Sequence, residues 1–354
     1  MEKARETFNL QNMNKSTIVL PAEWARQSGV MLTWPHEQTD WAPILDEVES
    51  CFIAIAKAIA EREKLLIVCR DQHSLYEKLK ECRIENIMFA DLPANDTWAR
   101  DHGAITVMIG GKPALYDFTF NGWGMKFAAN FDNQITSTLY QNRFFQDGVI
   151  YINQQHLVLE GGSIESDGEG TLLTTTDCLL SVNRNHHLTK TEIAQKLTDL
   201  FGLQQILWLS SGYLSGDDTD SHVDTLARLC SPKTIAYVQC DDVNDEHYEA
   251  LSRMELELAS FRTIDHLPYQ LIPLPMADAV YDGDIRLPAT YANFLILNEA
   301  VLVPFYNSPK DETAKYQLRN AFPDREIIGI DCTPLVKQHG SLHCVTMQFP
   351  ERVL

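Results

Sequence analysis

The chain has 354 residues, 45% of them hydrophobic and 22% charged, the proportions of a soluble globular protein long enough for a sizeable core. Its 49 acidic against 29 basic residues give a formal charge of −20, a field that repels polyanions and draws in cations, so nucleic acid is excluded and a small cationic partner is favoured. No apolar run approaches the ~20 residues that span a bilayer, and the eight cysteines at 51, 69, 82, 178, 230, 240, 332 and 344 form no Cys-x-x-Cys pair, which reads as reduced thiols in a cytoplasmic protein without a membrane partner.

Residues 1–16 are polar and charged, a leader and not a secretory signal. The run 29–35, Gly-Val-Met-Leu-Thr-Trp-Pro, is apolar and stopped by proline, as in a buried strand. From Pro43 to Glu61, Ile44, Leu45, Val48, Phe52, Ile55, Ala56 and Ile59 recur at three- and four-residue steps, which predicts a helix. A strand at 65–68, a helix near 74–81 and a strand at 87–89 follow.

A unit then recurs in the order hairpin, helix, strand. Strands at 104–109 and 114–120 flank the turn Gly110-Gly111-Lys112, a hairpin signal, and lead to a helix at 130–145 and a strand at 149–152. The second unit has strands at 157–163 and 171–175, a helix at 189–201 opened by Thr189 with Glu192 three residues on, and a strand at 206–209. The third runs through 223–229, 234–238, 245–261 and 271–274, and the fourth through 291–297, 301–305, 311–322 and 326–330. The last hairpin begins at 341–349 and is completed by the N-terminal strand near 30–34. Five units without a linker rich in Pro, Gly or Ser predict one closed, pseudo-repeating α/β assembly over 1–354, with an open mixed sheet as the other topology.

Polar clusters fall at four hairpin starts: Asn95 to Asp101, Glu160-Gly161-Gly162, Gly216 to Asp224, and Gly340 to Cys344. The third packs one imidazole and four carboxylates into nine residues, and a histidine among carboxylates suits general acid/base work. If His222-Val223-Asp224 is extended, its period of two turns both polar side chains to one face. Cys344 stands at a glycine-flanked strand start, where backbone amides stabilise a thiolate. With His222 from another unit and Glu160 to orient it, the set is that of covalent cysteine catalysis. Two further acids, Asp101 and Asp224, facing one small volume ask for a cation between them, and a guanidinium offers the paired N–H donors that carboxylates grip. Phe120, Trp123 and Phe127 read first as core, with a pocket mouth as the other reading.

In order, Trp34-Pro35, N-D-T-W-A-R-D-H-G at 95–103, F-N-G-W-G at 120–124, L-E-G-G at 159–162, D-T-D-S-H-V-D at 218–224 and H-C at 343–344 resemble the agmatine deiminases of the guanidino-modifying (pentein) superfamily, relatives of the Porphyromonas-type peptidylarginine deiminases. The resemblance spans nearly the whole chain. It implies a single-domain fold of five pseudo-symmetric ββαβ blades, hydrolysis of agmatine to N-carbamoylputrescine without a metal or organic cofactor, and a homo-oligomer. By motif it implies Cys344 as nucleophile, His222 as acid/base, Glu160 as its orienting acid, Asp101 and Asp224 as guanidinium ligands, and Trp98 as a cover over the substrate; Asp218 is our choice for the distal amine. Ser221 and Ser341 stand where the family has glycine, and a side chain at either place is expected to narrow the pocket. The alternatives are free or peptidyl arginine as substrate, a metal hydrolase using His222, Asp224, His343 and Cys344, and a non-catalytic polyamine-binding module.

Overall fold

The computed structural model describes residues 18–354, so the leader expected over 1–16 lies outside the described residues. The helix Leu45–Ala60 buries Val48, Phe52, Ile55, Ala56 and Ile59 along one face, after a single turn, Ala42–Ile44, that carries Pro43. Proline is harmless there because its missing N–H would have no helical partner. The helix Lys190–Phe201 opens on the expected capping box between Thr189 and Glu192, worth about 1 kcal/mol. It ends on Gly202 at φ 68°, where a Cβ would lie 2.1 Å from the Ile18 carbonyl oxygen, so glycine alone fits.

Five sheets repeat one pattern, in which two strands run antiparallel and a third joins in parallel after a helix. They are Ile105–Ile109, Lys112–Thr119 and Ile150–Val158; Ile164–Ser166, Thr171–Thr175 and Gln205–Leu209; and Ala227–Ser231, Thr234–Gln239 and Gln270–Pro275. The fourth holds Leu295–Ile296, Ala300–Phe305 and Glu326–Asp331. The fifth joins the two ends of the chain, Thr346–Pro350 against Gln27–Thr33 and then Lys64–Cys69, as the N-terminal apolar run predicted. The parallel step needs a crossover, which the helices Asp132–Gln141, Lys190–Phe201, Tyr248–Ser260, Lys310–Ala321 and Leu45–Ala60 supply. Ile87–Asp91 extends the fifth sheet, Ile18–Val19 edges the first, and the hairpin Val280–Asp282 with Ile285–Leu287 stands outside the pattern. The fold is thus mixed α/β, and among the described residues no helix is long and apolar enough to cross a membrane.

The departures from expectation sit at the strand starts. Residues 157–163, 223–229, 291–297 and 341–349 are not continuous strands: residues 157 and 158 still belong to the strand Ile150–Val158 of the first sheet, and pairing in the later sheets begins only at Ile164, Ala227, Leu295 and Thr346. The residues ahead of those points form short turns, among them Gly161–Ser163 and Val223–Thr225. Their polar groups bond to neighbouring units instead of to a ladder. The helix expected over 130–145 is cut to Asp132–Gln141.

Candidate active site

Each of the five sheets brings one such turn to a common centre. The first contributes Asp101, on the turn Ala99–His102. Its Oδ1 accepts the Gly162 N–H at 3.0 Å and its Oδ2 accepts Trp123 Nε1–H at 2.9 Å. The second contributes Glu160 and Gly162, the third His222 and Asp224, the fourth Asn293, the fifth His343 and Cys344. Gly162 is the meeting point: a Cβ there would lie 2.6 Å from His222 Nδ1, 2.9 Å from Asp101 Oδ1 and 3.1 Å from Asp224 Oδ2. The second glycine of the pair is therefore needed for close approach.

The His222-Val223-Asp224 stretch is not a strand. His222 is extended (φ −54°, ψ 137°) but Val223–Thr225 is a single 3-10 turn, so His222 and Asp224 are brought to one volume by a turn and not by β alternation. Asp217 builds the loop ahead of them, accepting Thr219 Oγ1–H at 2.6 Å and the Ser221 N–H at 2.7 Å, while Thr219 Oγ1 accepts the His222 N–H at 3.0 Å. Side chains of this loop satisfy backbone that regular structure leaves unpaired.

His222 lies between two carboxylates, with Nδ1 3.7 Å from Asp101 Oδ1 and Nε2 3.8 Å from Glu160 Oε2. Burial disfavours the imidazolium, but Asp101, Cys178 and Glu160 outweigh it and hold the pKa well above the ordinary range. Glu160 is fully buried, yet the neighbouring His222 and the Arg184 guanidinium keep its carboxyl below the usual range. Burial is the main cause lifting Asp101 to about 6, with Asp224 and Glu160 adding to it against His222. Asp224 goes the other way: its burial is overcome by His343, whose Nδ1 stands 2.7 Å from Asp224 Oδ2, and then by His222 and Arg228. Asp224 Oδ1 and His222 Nε2 are buried without a hydrogen-bond partner among the described residues.

Cys344 Sγ is 3.4 Å from Asn293 Oδ1, which also accepts the His343 N–H at 2.8 Å. Burial, then the negative charges of Asp224 and Asp101, push its thiol well above the usual value. Cys344, Asp101, Trp98 and Asp218 share the wall of one cavity with Trp123, Phe127, Asp40, Asp96, Asp217 and His339. His222, Glu160 and Asp224 lie behind that wall, each no more than 1% exposed. Trp98 donates Nε1–H to Asp96 at 2.9 Å, and a Cβ on Gly340 would lie 2.1 Å from its ring. Asp218 is lifted by burial and by Asp217 beside it.

All seven residues singled out in the sequence thus belong to this cavity or the layer behind it. Asn293, Arg184 and Cys178 were missed. Asn293 has a signal, since it holds in the fourth unit the place that the polar clusters hold in the others. Trp123 and Phe127, read first as core, line the cavity. Neither serine narrows it: Ser341 Oγ is 2.8 Å from Tyr306 Oη, and Ser221 is not on the cavity wall. The four groups of the metal alternative do not form one ligand set, because His343 has Nδ1 on Asp224 and Nε2 on Glu23. Among the described residues the groupings tight enough for one ion are Glu160–Cys178–His222 and Glu23–Glu165–His343. In each an arginine already engages a carboxylate, Arg184 on Glu160 and Arg228 on both Glu23 and Glu165.

A sequence profile of the family described as Porphyromonas-type peptidyl-arginine deiminase matches residues 19–350. The agmatine deiminase of Ectopseudomonas mendocina is 30% identical over 94% of this chain and 95% of its own. Among solved structures, a C. jejuni agmatine deiminase, a cysteine-to-serine variant with substrate bound, is 40% identical at a TM-score of 0.89, covering 99% of this chain and 100% of its own. A Porphyromonas gingivalis protein described provisionally as an arginine deiminase is 54% identical at a TM-score of 0.92, covering 95% of this chain and 99% of its own.

Proposed function

We propose, from the premise that the chain belongs to the Porphyromonas-type peptidyl-arginine deiminase family and is a hydrolase acting on C–N bonds, that it converts agmatine to N-carbamoylputrescine and ammonia. The observation that carries this reading is the convergence on Gly162, where Asp101, His222 and Asp224 meet behind a cavity that also holds Cys344. In that reading the five sheets are the blades of one pseudo-symmetric, single-domain propeller, with the site at its hub.

The electrostatics supply the order of events. Asp101 and Asp224 raise the proton affinity of the Cys344 thiol, so a guanidinium gripped by the two carboxylates cancels the field that keeps the sulfur protonated. The thiol proton then passes to solvent, and the thiolate attacks the guanidinium carbon. His222, held as imidazolium by Asp101 and Glu160, gives its proton to the departing nitrogen, and ammonia leaves an S-linked thiouronium. Water then adds to that carbon as His222 takes one of its protons; the C–S bond breaks to release the thiolate, and the remaining hydroxyl proton passes to solvent as the ureido carbonyl forms. A cysteine-to-serine variant of the C. jejuni relative holds substrate, which supports a cysteine as the attacking group.

Free or peptidyl arginine is the second reading, and the P. gingivalis relative favours it by its description. The cavity wall argues for the amine, since it carries Asp40, Asp96, Asp101, Asp217 and Asp218 and, among the described residues, no Arg or Lys to meet a carboxylate. Asp218 is our choice for the distal ammonium. All eight cysteines are free thiols, which supports a cytoplasmic setting; self-association is proposed from the resemblance alone and is open to light scattering. The test of function is ammonia release from agmatine, arginine and a blocked arginine. Agmatine should be turned over fastest, and Cys344→Ala should lower kcat by at least ~10⁴-fold while leaving the circular dichroism spectrum unchanged.

A further inference from the structure

Arg184 lies on no part of the cavity wall, yet its side chain is fully buried and placed where one planar group can control two others. Its Nε donates to both oxygens of Glu160, at 3.0 and 2.9 Å. Its Nη1 donates to Asp220 Oδ2 at 2.5 Å and its Nη2 to the Thr219 carbonyl at 2.8 Å. Glu160 is the acid that faces His222 Nε2, and residues 219 and 220 lead directly into His222. Both halves of the His222–Glu160 pair therefore hang from one guanidinium, whose fork fixes direction as well as charge.

The chain of charges continues outward. Asp220 Oδ1 is 2.9 Å from Lys126 Nζ, which also donates to the Asp218 carbonyl. Lys126 stands between Trp123, which donates to Asp101, and Phe127, and both aromatics line the cavity. Asp220 and Ser221 have φ of 66° and 63°, a left-handed conformation that costs a non-glycine residue energy and persists only where its surroundings impose it. Arg184, Lys126 and Asp217 are those surroundings.

We propose that Arg184 is a positioning residue for the His222–Glu160 acid/base pair, and that Lys126, through Asp220, ties this pair to the mouth of the cavity. The proposal rests on the functional reading above. Besides Glu160 and Arg184, the groups facing His222 are Asp101, Asp224 and Cys178. Among the groups that set the His222–Glu160 titration, Arg184 is the cation in direct contact with Glu160. Without it the pair holds its last proton more tightly, and the pH at which His222 becomes neutral moves up.

The experiment compares Arg184→Gln, Arg184→Lys, Lys126→Met and Lys126→Arg in ammonia release from agmatine, with the His222 ring titrated by NMR on ¹⁵N-histidine-labelled enzyme. For Arg184→Gln, kcat should fall roughly 10²-fold with KM within about threefold, as for a misplaced catalytic group. The His222 midpoint should rise, and Arg184→Lys should recover part of both. For Lys126→Met, kcat should fall about tenfold while KM stays level or drops, because removing a positive charge at the mouth favours a cationic substrate; Lys126→Arg should restore kcat. A folded Arg184→Gln with kcat within twofold of wild type, or with an unmoved His222 midpoint, overturns the proposal. If Arg184→Gln does not fold, Lys126→Met decides, and an unchanged kcat or a raised KM overturns it. Failure of the wild type to release ammonia from any guanidine refutes the functional reading, while the His222 midpoint still judges the positioning role on its own.

Discussion

Asp101 and Asp224 are both buried carboxylates beside His222, but they belong to two differently built regions. On the cavity side, Asp101 has the neutral donors Gly162 N–H and Trp123 Nε1–H, faces His222 at 3.7 Å and, among the described residues, has no arginine or lysine in an ion pair with it; burial lifts it to about 6. On the interior side, Asp224 opens a network in which His343 bridges it to Glu23, and Arg228 joins Glu23 to Glu165 at 2.7 and 2.5 Å. Each interior carboxylate has a basic side chain within hydrogen-bond distance. The cavity wall, among the described residues, carries five aspartates and no arginine or lysine, and the charge it lacks is the one a guanidinium carries. A site prepared for a cation thus needs a rear layer that is complete without it, so that binding is not used up in repairing the scaffold.

The comparison breaks first at Arg228. Its guanidinium is fully buried, stacks 4.5 Å over the Phe294 ring and donates to the carbonyls of Ala292 and Phe294 as well as to the two glutamates. Arg228→Met should leave two buried carboxylates uncompensated and cost about 3–5 kcal/mol, read as a lower denaturant midpoint at unchanged slope. A midpoint within error of wild type would mean that the interior network is no scaffold.

A smaller effect separates the two aspartates by the sign of their pH dependence. Asp101, raised to about 6 in the folded state, binds a proton more tightly there than in the unfolded chain. Its contribution therefore disfavours folding at neutral pH, on the order of 2–3 kcal/mol, and this is relieved as pH falls through 6 towards 4. Asp224 is held below its ordinary range, so its stabilisation is present above that range and lost as pH falls through it. Melting curves at pH 7.5 and 4.5 should show Asp101→Asn doing better relative to wild type at the higher pH, whereas Asp224→Asn, whose window lies below its ordinary carboxylate range, should keep a constant offset from wild type between the two. Equal trends for both variants would erase the distinction. Ammonia release should suffer in both.

Gly162 is the seam between the regions. In Gly162→Ala the new Cβ falls within 2.6 Å of His222 Nδ1 and 2.9 Å of Asp101 Oδ1, so kcat/KM should drop about 10²-fold for a stability loss of about 1–3 kcal/mol. A variant with wild-type kcat/KM would put the reacting centre elsewhere.

What could be read beforehand follows the same division. The hairpin–helix–strand order was legible because apolar runs, the Thr189–Glu192 cap and the Gly110-Gly111 turn are local signals. The cavity was legible too, since Asp101, Glu160, His222 and Cys344 stand at the ends of apolar runs, where side chains have no sheet to join. The interior was not. Glu23, Arg228 and Arg184 look like ordinary surface charges in a sequence, and only the packing of distant units buries them against one another. Asn293 was hidden because it follows Tyr291-Ala292 in a run that reads as strand, although pairing starts only at Leu295.

The smallest effect is expected at Ser221, which the sequence marked as a narrowing of the pocket. The structure puts the difference in the backbone instead. Ser221 has φ 63°, where a Cβ crowds its own carbonyl, and its N–H and C=O are already committed to Asp217 and Thr175. Glycine at this position keeps both bonds and removes the crowding, so Ser221→Gly should stabilise the fold by up to about 1 kcal/mol after the added entropy of the unfolded chain is subtracted. Because the serine side chain is not on the cavity wall, KM for agmatine should stay within about twofold of wild type, a change below ~0.4 kcal/mol. A several-fold fall in KM would instead mean that the serine does restrict the substrate, through the loop that carries Asp218 and His222.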